Sequence, residues 1–445
     1  MQNLKGFPYF EVEFNKDGTV HDQNQAKALT DFLGQGSVSD LFIISHGWNN
    51  DMADARDLYS RFFECMRAVI NLGAVAGIST RSFAVLAVLW PSKKFAEQDL
   101  IPSGAASGDS PITNDFLKQE LEGMKGLFDS KDADAALDKA IQLVADLEDS
   151  PKAQAEFADL LRSILTKPTT TDNTDASDDF FKLSGGEIIE RLSKPVPLAQ
   201  SQPTAGSGGA AMAEGGEESV GGGAAGLGQF FSGIKSGALN LLNLTTYYQM
   251  KERAGLVGSK GVNPILKTIL AQPTKIKLHL IGHSFGGRLV TAATAGPDGQ
   301  SPVTVDTLAL LQTAFSHYGF AQRYDGKNDG YFRKIVANKA VKGSTVISFT
   351  KNDLAVGKAY PLASLLAGQV AADLGDENDK YGGLGRNGAQ KTPEATNGVL
   401  LALNKPYQLV AGKLHNLNAD AIIKGHSDIC HNEVAYAILA AVSET

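Results

Sequence analysis

The 445-residue chain is 43% hydrophobic and 20% charged, which is the composition of a globular protein rather than of a disordered or fibrous one. Its net charge of -8 and pI near 5.6 argue against a protein that tracks nucleic-acid phosphates with a basic face. Its two cysteines, Cys65 and Cys430, lack the spacing of a disulfide framework or a zinc site, and they fit a reducing compartment.

The beginning of the chain lacks the charged start and apolar run of a secretory signal. No window reaches the roughly 18 to 20 uninterrupted apolar residues that a membrane-spanning helix requires. We therefore expect a cytoplasmic protein without a transmembrane segment. Export by a route that uses no cleaved signal is the alternative.

The first ninety residues predict alternating strands and helices. An alternating apolar pattern at residues 10–14 predicts a strand, and residues 24–33 predict a helix. The runs at residues 41–44 and 83–89 are continuously apolar, as in strands buried on both faces of a parallel sheet. Residues 52–72 between them are helical in pattern. The order strand, helix, strand favours a right-handed βαβ unit.

The character of the chain changes over residues 92–270, which we interpret as an insertion. Acidic, alanine-rich stretches at residues 132–147 and 153–165 predict helices. Twelve glycines in residues 201–240 predict a mobile loop, because each ordered glycine costs conformational entropy. The apolar residues in the stretch 230–250 either cover a site or form a helix packed on the sheet.

The sheet pattern resumes after the insertion. Four further strands are predicted, at residues 275–281, 303–311, 345–349 and 414–423, followed by a helix at residues 432–442. Residues 1–91 and 271–445 are therefore expected to form two parts of one α/β core. The predicted architecture is a mostly parallel central sheet flanked by helices, with a large helical and glycine-rich insertion between the two parts.

The strongest chemical signal is the sequence Gly-His-Ser-Phe-Gly-Gly at residues 282–287. It follows a predicted strand and precedes a predicted helix, which is the context of the G-x-S-x-G nucleophile elbow. Small residues two before and two after the serine avoid collisions in this strained turn. Ser284 is therefore the candidate nucleophile, and the N–H of Phe285 at the helix N-terminus is a candidate oxyanion donor. The alternative is a structural turn or an inactive relic.

A second signal is the sequence His-Gly-Trp-Asn-Asn at residues 46–50, directly after a buried strand. A glycine in this loop lets backbone amides face the elbow, so the N–H of Trp48 is the candidate for the second oxyanion donor. The alternative is a strand-ending turn with a buried tryptophan. We interpret His46 as a side chain that braces the loop rather than as a base.

A serine hydroxyl needs a base to take its proton, and the base needs an acid to hold its tautomer. Asp353 lies on a loop after the predicted strand 345–349, at the carboxyl edge where sites form in open α/β sheets. Asp306 falls at the start of its strand, and Asp325 and Asp329 fall in a turn-rich stretch. Asp353 is therefore the candidate acid.

Three histidines follow Asp353 in the chain. His426 follows a glycine on a loop before the last helix and is the candidate base, whereas His415 falls in a strand and His431 at a helix. A metal site built from His426, Asp428 and His431 is a competing idea that no second ligand cluster supports.

Two further patterns are interpreted as chance matches. Residues 383–388 fit G-x-G-x-x-G, but they follow no predicted strand and open no predicted helix, so they predict a loop rather than a dinucleotide site. Residues 232–235 fit S-x-x-K without the companion motifs of penicillin-recognising enzymes. No cofactor and no metal are therefore predicted.

With these residues the chain resembles the α/β-hydrolase superfamily, and within it the bacterial serine esterases and lipases. The resemblance covers the core and rests on the elbow, the loop at residues 46–48 and the chain order Ser284, Asp353, His426. It implies acyl transfer to water through an acyl-enzyme, on a small-molecule or lipid ester.

The chain departs from this resemblance in two places. Many members carry a lid after the nucleophile, whereas here the insertion at residues 92–270 precedes it and is a lid, a substrate-selecting subdomain or a surface for a protein partner. The loop at residues 46–50 lacks the triple glycine of some lipases. There are two alternative functions. One is an amidase or peptidase with the same triad, and the other is a non-catalytic scaffold of this fold that binds a partner.

Overall fold

The computed structural model describes residues 2–48, 50–92, 112–165, 177–194, 233–353, 356, 366 and 380–445. Within them nine strands form one sheet in the order β1-β2-β4-β3-β5-β6-β7-β9-β8. Their bounds are β1 Gln2–Leu4, β2 Phe7–Glu13, β3 Asp40–Ser45, β4 Phe83–Leu89, β5 Lys277–His283, β6 Thr307–Leu311, β7 Thr345–Phe349, β8 Ala395–Val399 and β9 Leu414–Asn418. Only the β1–β2 pair of this sheet is antiparallel, so the prediction of an α/β protein with a mostly parallel sheet is confirmed.

Helices lie between and after the strands. Their bounds are α1 Gln23–Gly34, α2 Met52–Asn71, α3 Asn114–Gly123, α4 Ala133–Leu143, α5 Pro151–Ser163, α6 Ser177–Lys182, α7 Gly185–Leu192, α8 Ile234–Leu256, α9 Asn263–Leu270, α10 Phe285–Ala295, α11 Arg333–Ala337, α12 Leu384–Asn387 and α13 Asn432–Ser443. Short 3₁₀ turns occur at Ile78–Thr80 and Val144–Asp146, and a π-helical turn at Val257–Val262 joins α8 to α9. None of the described helices has the length and apolarity needed to cross a membrane.

The continuously apolar strands are buried because the sheet carries a hydrophobic core on each face. In β3, Leu41 and Ile43 belong to one core, and Phe42 and Ile44 belong to the other. Successive side chains of a strand point to opposite faces, so a sheet covered on both sides requires apolar residues without alternation. Helices α2 and α13 contribute to one core, and α1, α8 and α10 contribute to the other.

Most elements predicted from the sequence are present near their expected positions. The helix expected at residues 52–72 is α2, and it joins the parallel neighbours β3 and β4 as the βαβ interpretation requires. Helices α4 and α5 occupy the stretches at 132–147 and 153–165. The strands β1 and β8 were not predicted, because both are short edge strands without a run of apolar residues.

The loop predicted for residues 201–240 is wrong over its last part. Residues 201–232 lie outside the described residues, but α8 begins at Ile234 and packs against α5, α7 and α10. A Cβ on Gly237 would lie 2.3 Å from Ser193 Oγ and 3.0 Å from Ile189 O. This glycine therefore permits close helix packing, whereas its composition alone suggested a loop.

The loop predicted for residues 383–388 is also wrong in part, because Leu384–Asn387 form one helical turn, α12. The N–H of Leu384 donates to Phe315 O at 2.8 Å, and the Leu384 side chain is fully buried. A Cβ on Gly385 would lie 2.3 Å from the backbone of Gln312. The glycines at this point allow a buried turn to approach the end of β6.

A buried charge cluster joins the amino ends of the central strands to the last helix. Asp40, at the start of β3, has no exposed surface and accepts hydrogen bonds from Arg81 and from His279 of β5. Burial would raise the pKa of Asp40, but these bonds and one from Ser39 hold it at about 2. Arg81 also donates to Val442 O at 2.6 Å, so it connects the sheet to α13.

We predict that Arg81→Met lowers the free energy of unfolding by about 3–5 kcal/mol, because it leaves the buried Asp40 carboxylate without its cation. The exposed pair Arg61–Asp57 in α2 offers a matched control, since Arg61→Met removes an ion pair of little value, about 1 kcal/mol or less. Urea unfolding followed by circular dichroism measures both variants. Equal losses in the two variants would contradict the argument.

Candidate active site

Ser284 lies at the turn between β5 and α10. Its φ of 56° and ψ of -126° fall in a region that residues other than glycine seldom adopt. The Ser284 N–H donates to Leu311 O at 3.0 Å, and the Ser284 carbonyl accepts from Gly287 and Ala314 at 3.0 and 3.1 Å. These bonds tie the strained turn to the end of β6 and to the loop that follows it.

The surrounding backbone leaves no room for a side chain at the glycines two positions before and two positions after Ser284. A Cβ on Gly282 would lie 2.4 Å from Gly286 O, and a Cβ on Gly286 would lie 2.2 Å from Ser45 O. Because contacts below 3.0 Å essentially do not occur for a real Cβ, the backbones of β3, β5 and α10 meet here only with glycine. The expected geometry of the elbow is present at residues 282–287.

The three candidate residues Ser284, His426 and Asp353 are joined by two hydrogen bonds. His426 Nε2 lies 2.8 Å from Ser284 Oγ, and His426 Nδ1 lies 2.8 Å from Asp353 Oδ2. The Asp353 side chain is fully buried, whereas the His426 side chain is 22% exposed. An ionised carboxylate only accepts hydrogen bonds, so Nδ1 carries the proton and Nε2 faces the Ser284 hydroxyl as an acceptor.

Asp353 lies on the loop that follows β7. Its Oδ1 accepts from the N–H of Val356 at 2.9 Å, which leaves Oδ2 directed at His426. The buried guanidinium of Arg386 in α12 donates to Lys351 O at 2.8 Å and to Asp353 O at 3.4 Å. The loop is therefore held by α12, the helical turn that the sequence did not predict.

The loop that carries His426 runs from β9 to α13 and is joined to the loop of Asp353. Asn352 donates to Asp420 O at 3.0 Å and to Ile423 O at 2.8 Å. The Asp420 carboxylate in turn accepts from Thr350 Oγ1 at 2.9 Å and from Lys351 N at 2.8 Å. The acid and the base therefore sit on two loops that are hydrogen-bonded to each other.

The first candidate oxyanion donor is the N–H of Phe285. It is the first amide of α10, and the first four amides of a helix have no acceptor within the helix. The Phe285 side chain is buried and packs edge-on against Trp48, with ring centroids 6.2 Å apart. The amide therefore lies next to the nucleophile at the positive end of the helix dipole.

The second candidate donor, the N–H of Trp48, follows Gly47, which lies against Ser284. A Cβ on Gly47 would lie 2.6 Å from Ser284 Cβ and 3.2 Å from Ser284 Oγ. His46 Nδ1 donates to Gly47 O at 2.9 Å. In a trans peptide the C=O and the following N–H point in opposite directions, so this bond fixes the direction of the Trp48 N–H.

His46 braces this loop, as the sequence analysis expects. Its ring is fully buried and stacks on the ring of Trp90, and the backbone N–H of Trp90 donates to His46 Nε2 at 3.3 Å. The His46 N–H donates to Tyr59 Oη at 2.8 Å. Burial lowers the pKa of His46 to about 4, so the ring is neutral at pH 7. Both of its ring nitrogens form hydrogen bonds to the backbone.

The three rejected aspartates lie elsewhere. Asp306 precedes β6 and accepts from Leu278 N at 2.8 Å, at the amino end of the strands. Asp325 accepts from the amides of its own turn, and Asp329 accepts from Arg323 N at 2.8 Å. Each carboxylate accepts hydrogen bonds from backbone amides that lie away from the three candidate residues.

The two rejected histidines also have local partners. His415 lies in β9, where its Nε2 accepts from Val410 N at 3.0 Å. His431 precedes α13 and pairs with Asp428 at 2.7 Å. Within the described ranges no group of three or more His, Cys, Asp or Glu side chains is placed to hold a metal.

Sequence reasoning did not identify three residues that hold the site: His283, Asn352 and Asp420. His283 occupies the variable position of the elbow, and its Nε2 lies 2.8 Å from His426 O. Asn352 and Asp420 lie 68 positions apart, and no local pattern connects them. His283 and Asn352 adjoin candidate residues, but adjacency does not specify a contact, and Asp420 lacks even that signal.

A pocket of about 970 Å³ opens at the carboxyl ends of β2 and β4. Its lining includes Glu13, Pro91, Arg253 and Met52, the residue that begins α2 after the Trp48 loop. None of the three hydrogen-bonded residues Ser284, Asp353 and His426 lines it. We assign the candidate site from the hydrogen-bonded geometry, because chemistry and not cavity size determines where a reaction occurs.

Comparison of the chain with protein-family models, with curated proteins and with solved structures found no match. The geometry of the site is therefore what bears on the function of the protein.

We predict that Gly47→Ala slows labelling of Ser284 by a fluorophosphonate about 10²-fold or more, because the added methyl displaces either the nucleophile or the Trp48 amide. Gly186→Ala is the matched control, since a Cβ at Gly186 meets nothing within 4 Å. Labelling rates and melting temperatures are measured for both. A wild-type labelling rate in Gly47→Ala would show that the close approach has no role in reactivity.

Proposed function

We propose that this protein is a serine hydrolase that cleaves carboxylic esters, with Ser284 as nucleophile, His426 as base and Asp353 as the acid that orients the base. The observation that carries the proposal is the continuous chain from Asp353 through His426 to Ser284, with 2.8 Å at each hydrogen bond. A base within hydrogen-bond reach is what a serine hydroxyl needs to act as a nucleophile.

In the proposed reaction His426 Nε2 takes the Ser284 hydroxyl proton as Oγ forms a bond to the ester carbonyl carbon. The carbonyl electron pair moves to the oxygen and gives a tetrahedral oxyanion. When this intermediate collapses, the C–O bond to the leaving alcohol breaks, and His426 returns the proton to the alcohol. His426 then deprotonates a water molecule, which attacks the acyl carbon; the bond to Ser284 Oγ breaks, His426 returns the proton to Oγ, and the acid is released.

The oxyanion is proposed to accept hydrogen bonds from the N–H groups of Phe285 and Trp48. In the nucleophile-elbow mechanism the donors are the residue after the serine and a residue of the loop after the third strand. Phe285 begins α10 directly after Ser284, and Trp48 lies between β3 and α2. Both amides therefore come from the elements that this chemistry uses.

We also propose that the fold is that of the α/β-hydrolases and that the chain is related to bacterial esterases and lipases. Three features support this: a mostly parallel sheet, a strand-turn-helix elbow at Ser284, and the chain order Ser284, Asp353, His426. Each of the three residues follows a parallel strand at the carboxyl edge of the sheet. A cytoplasmic location is part of the same proposal and is supported by the two free cysteines.

Residues 92–270 are proposed to select the substrate, with a lid or a protein-binding surface as the other interpretations. Tyr247 of α8 contacts the ring of Phe285, with centroids 5.3 Å apart, and Phe285 contacts Trp48. The segment between β4 and β5 therefore reaches the residues proposed to form the oxyanion hole. Aromatic side chains at this position favour an acyl chain or another apolar group in the substrate.

We predict that Ser284→Ala lowers kcat for ester hydrolysis roughly 10⁴-fold or more and abolishes fluorophosphonate labelling, because the nucleophile is removed. The melting temperature should stay close to that of the wild type. Ser344→Ala removes another buried serine hydroxyl, at the amino end of β7, and should be labelled normally.

Retained hydrolysis in Ser284→Ala would exclude the assignment. Labelling of the wild type without ester turnover would direct attention to amides and peptides, which the same triad can cleave. Absence of labelling in both proteins would favour a binding scaffold instead.

We further predict that kcat/KM for p-nitrophenyl esters rises from acetate to longer acyl chains. Each buried methylene is worth about 0.8 kcal/mol, or roughly fourfold in kcat/KM, when the acyl group enters an apolar site. A series from acetate to octanoate measures the preference. A flat or falling series beyond acetate would contradict an apolar acyl site while leaving the triad unaffected.

A further inference from the structure

His283 is a buried histidine that the proposed reaction does not use. It ends β5 directly before Ser284, and its side chain is 4% exposed. Its Nε2 lies 2.8 Å from the backbone carbonyl of His426, and its ring centroid lies 4.9 Å from that of the His426 imidazole. The residue before the nucleophile therefore contacts the backbone and the ring of the base.

The hydrogen bond fixes the tautomer of His283. A carbonyl oxygen only accepts, so Nε2 must carry the proton and Nδ1 must be the acceptor nitrogen. Burial lowers the pKa of His283 to about 3, so the ring remains neutral at pH 7. Among the described residues Nδ1 has no hydrogen-bond partner, although it is buried beside Gly47.

This unpaired nitrogen has an energetic consequence. Burial of an acceptor without a partner is unfavourable relative to a satisfied group. An apolar side chain of similar volume would fill the same space without that cost. The Nε2–H donor is the feature that a histidine supplies here and that leucine or phenylalanine does not.

We propose that His283 is a positioning residue for the base, which holds the backbone of His426 through its Nε2–H so that the His426 ring stays between Asp353 and Ser284. This inference rests on the proposed function and deepens it. His426 lies on a loop and its side chain is partly exposed, at 22%, and Asn352 holds that loop only up to Ile423. The bond from His283 acts at residue 426 itself.

The bond also links two members of the triad through the backbone. His283 and Ser284 are adjacent, so a movement of the strand end moves the nucleophile and the anchor of the base together. The Oγ–Nε2 distance of 2.8 Å is therefore maintained from the side of the nucleophile as well as from the side of the acid. Misplacement by about 1 Å is enough to reduce a rate about 10²-fold.

The test compares His283→Leu, which keeps apolar volume and removes the donor, with His283→Gln, whose amide N–H can occupy the place of Nε2–H. His415→Leu is the control, because it removes a buried imidazole of β9 that lies outside the triad. Steady-state hydrolysis of a p-nitrophenyl ester gives kcat and KM, and circular dichroism gives the folded fraction. The downfield proton NMR signal of His426 Nδ1–H reports the bond to Asp353.

We expect His283→Leu to lower kcat about 10- to 100-fold with little change in KM, and to weaken or abolish the downfield signal. His283→Gln should recover most of both, and His415→Leu should change neither per folded molecule. Wild-type kcat and an intact signal in folded His283→Leu would overturn the proposal. Equal losses in the Leu and Gln variants would also overturn it, because the donor would then be irrelevant.

The NMR signal separates this inference from the proposed function. It requires a folded protein and not turnover, so it tests the position of His426 even if the wild type hydrolyses no ester. Failure of the proposed function would appear as a wild type that neither hydrolyses esters nor is labelled at Ser284.

Discussion

The close approach of three backbones at Ser284 is the constraint on which the rest of the site depends. The carbonyl oxygen of Ser45 lies 2.2 Å from the position that a Cβ of Gly286 would take, and Gly47 lies against the Ser284 side chain. Ser284 itself has a positive φ, a backbone conformation that costs about 1–3 kcal/mol. A residue keeps such a conformation only where surrounding interactions hold its backbone in place. The bonds to Leu311, Gly287 and Ala314 supply that restraint. The strained turn therefore sets Ser284 at the carboxyl end of β5, directly before the first amides of α10.

A parallel sheet explains how residues so far apart in the chain meet. Ser284 and His426 are 142 positions apart, and His426 and Asp353 are 73 apart. Strands β5, β7 and β9 all run in the same direction, so the loops after them end at one edge. Proximity along that edge does not by itself give hydrogen-bond geometry. Side chains that cross between the loops, Asn352 on one side and His283 on the other, restrict the loops to one arrangement.

The sequence was sufficient for seven of the nine described strands, because these carry short-range apolar patterns, and chain order along those strands supplied the candidate residues Asp353 and His426. Continuous apolar runs identified β3 and β4, and the elbow motif identified the turn at Ser284. The sequence was not sufficient where a residue acts through a distant contact. Gly237 and Gly385 looked like loop glycines, yet each permits a close approach to a segment remote in the chain. Asn352 carried no signal beyond its place next to Asp353, since its partners become neighbours only after β7 and β9 pair.

The two buried histidines near the triad also set the electrostatics of the base. During the proposed proton transfer His426 becomes an imidazolium, and a second positive charge at the 4.9 Å ring separation of His283 would oppose it by about 3 kcal/mol at an effective dielectric of 20. Burial keeps the pKa of His283 at about 3 and that of His46 at about 4, so neither ring carries that charge at pH 7. Asp353 is then the charged group in direct contact with the imidazolium. The burial that lowers the pKa of His283 thus keeps a positive charge away from the His426 ring, where it would oppose the proposed proton transfer.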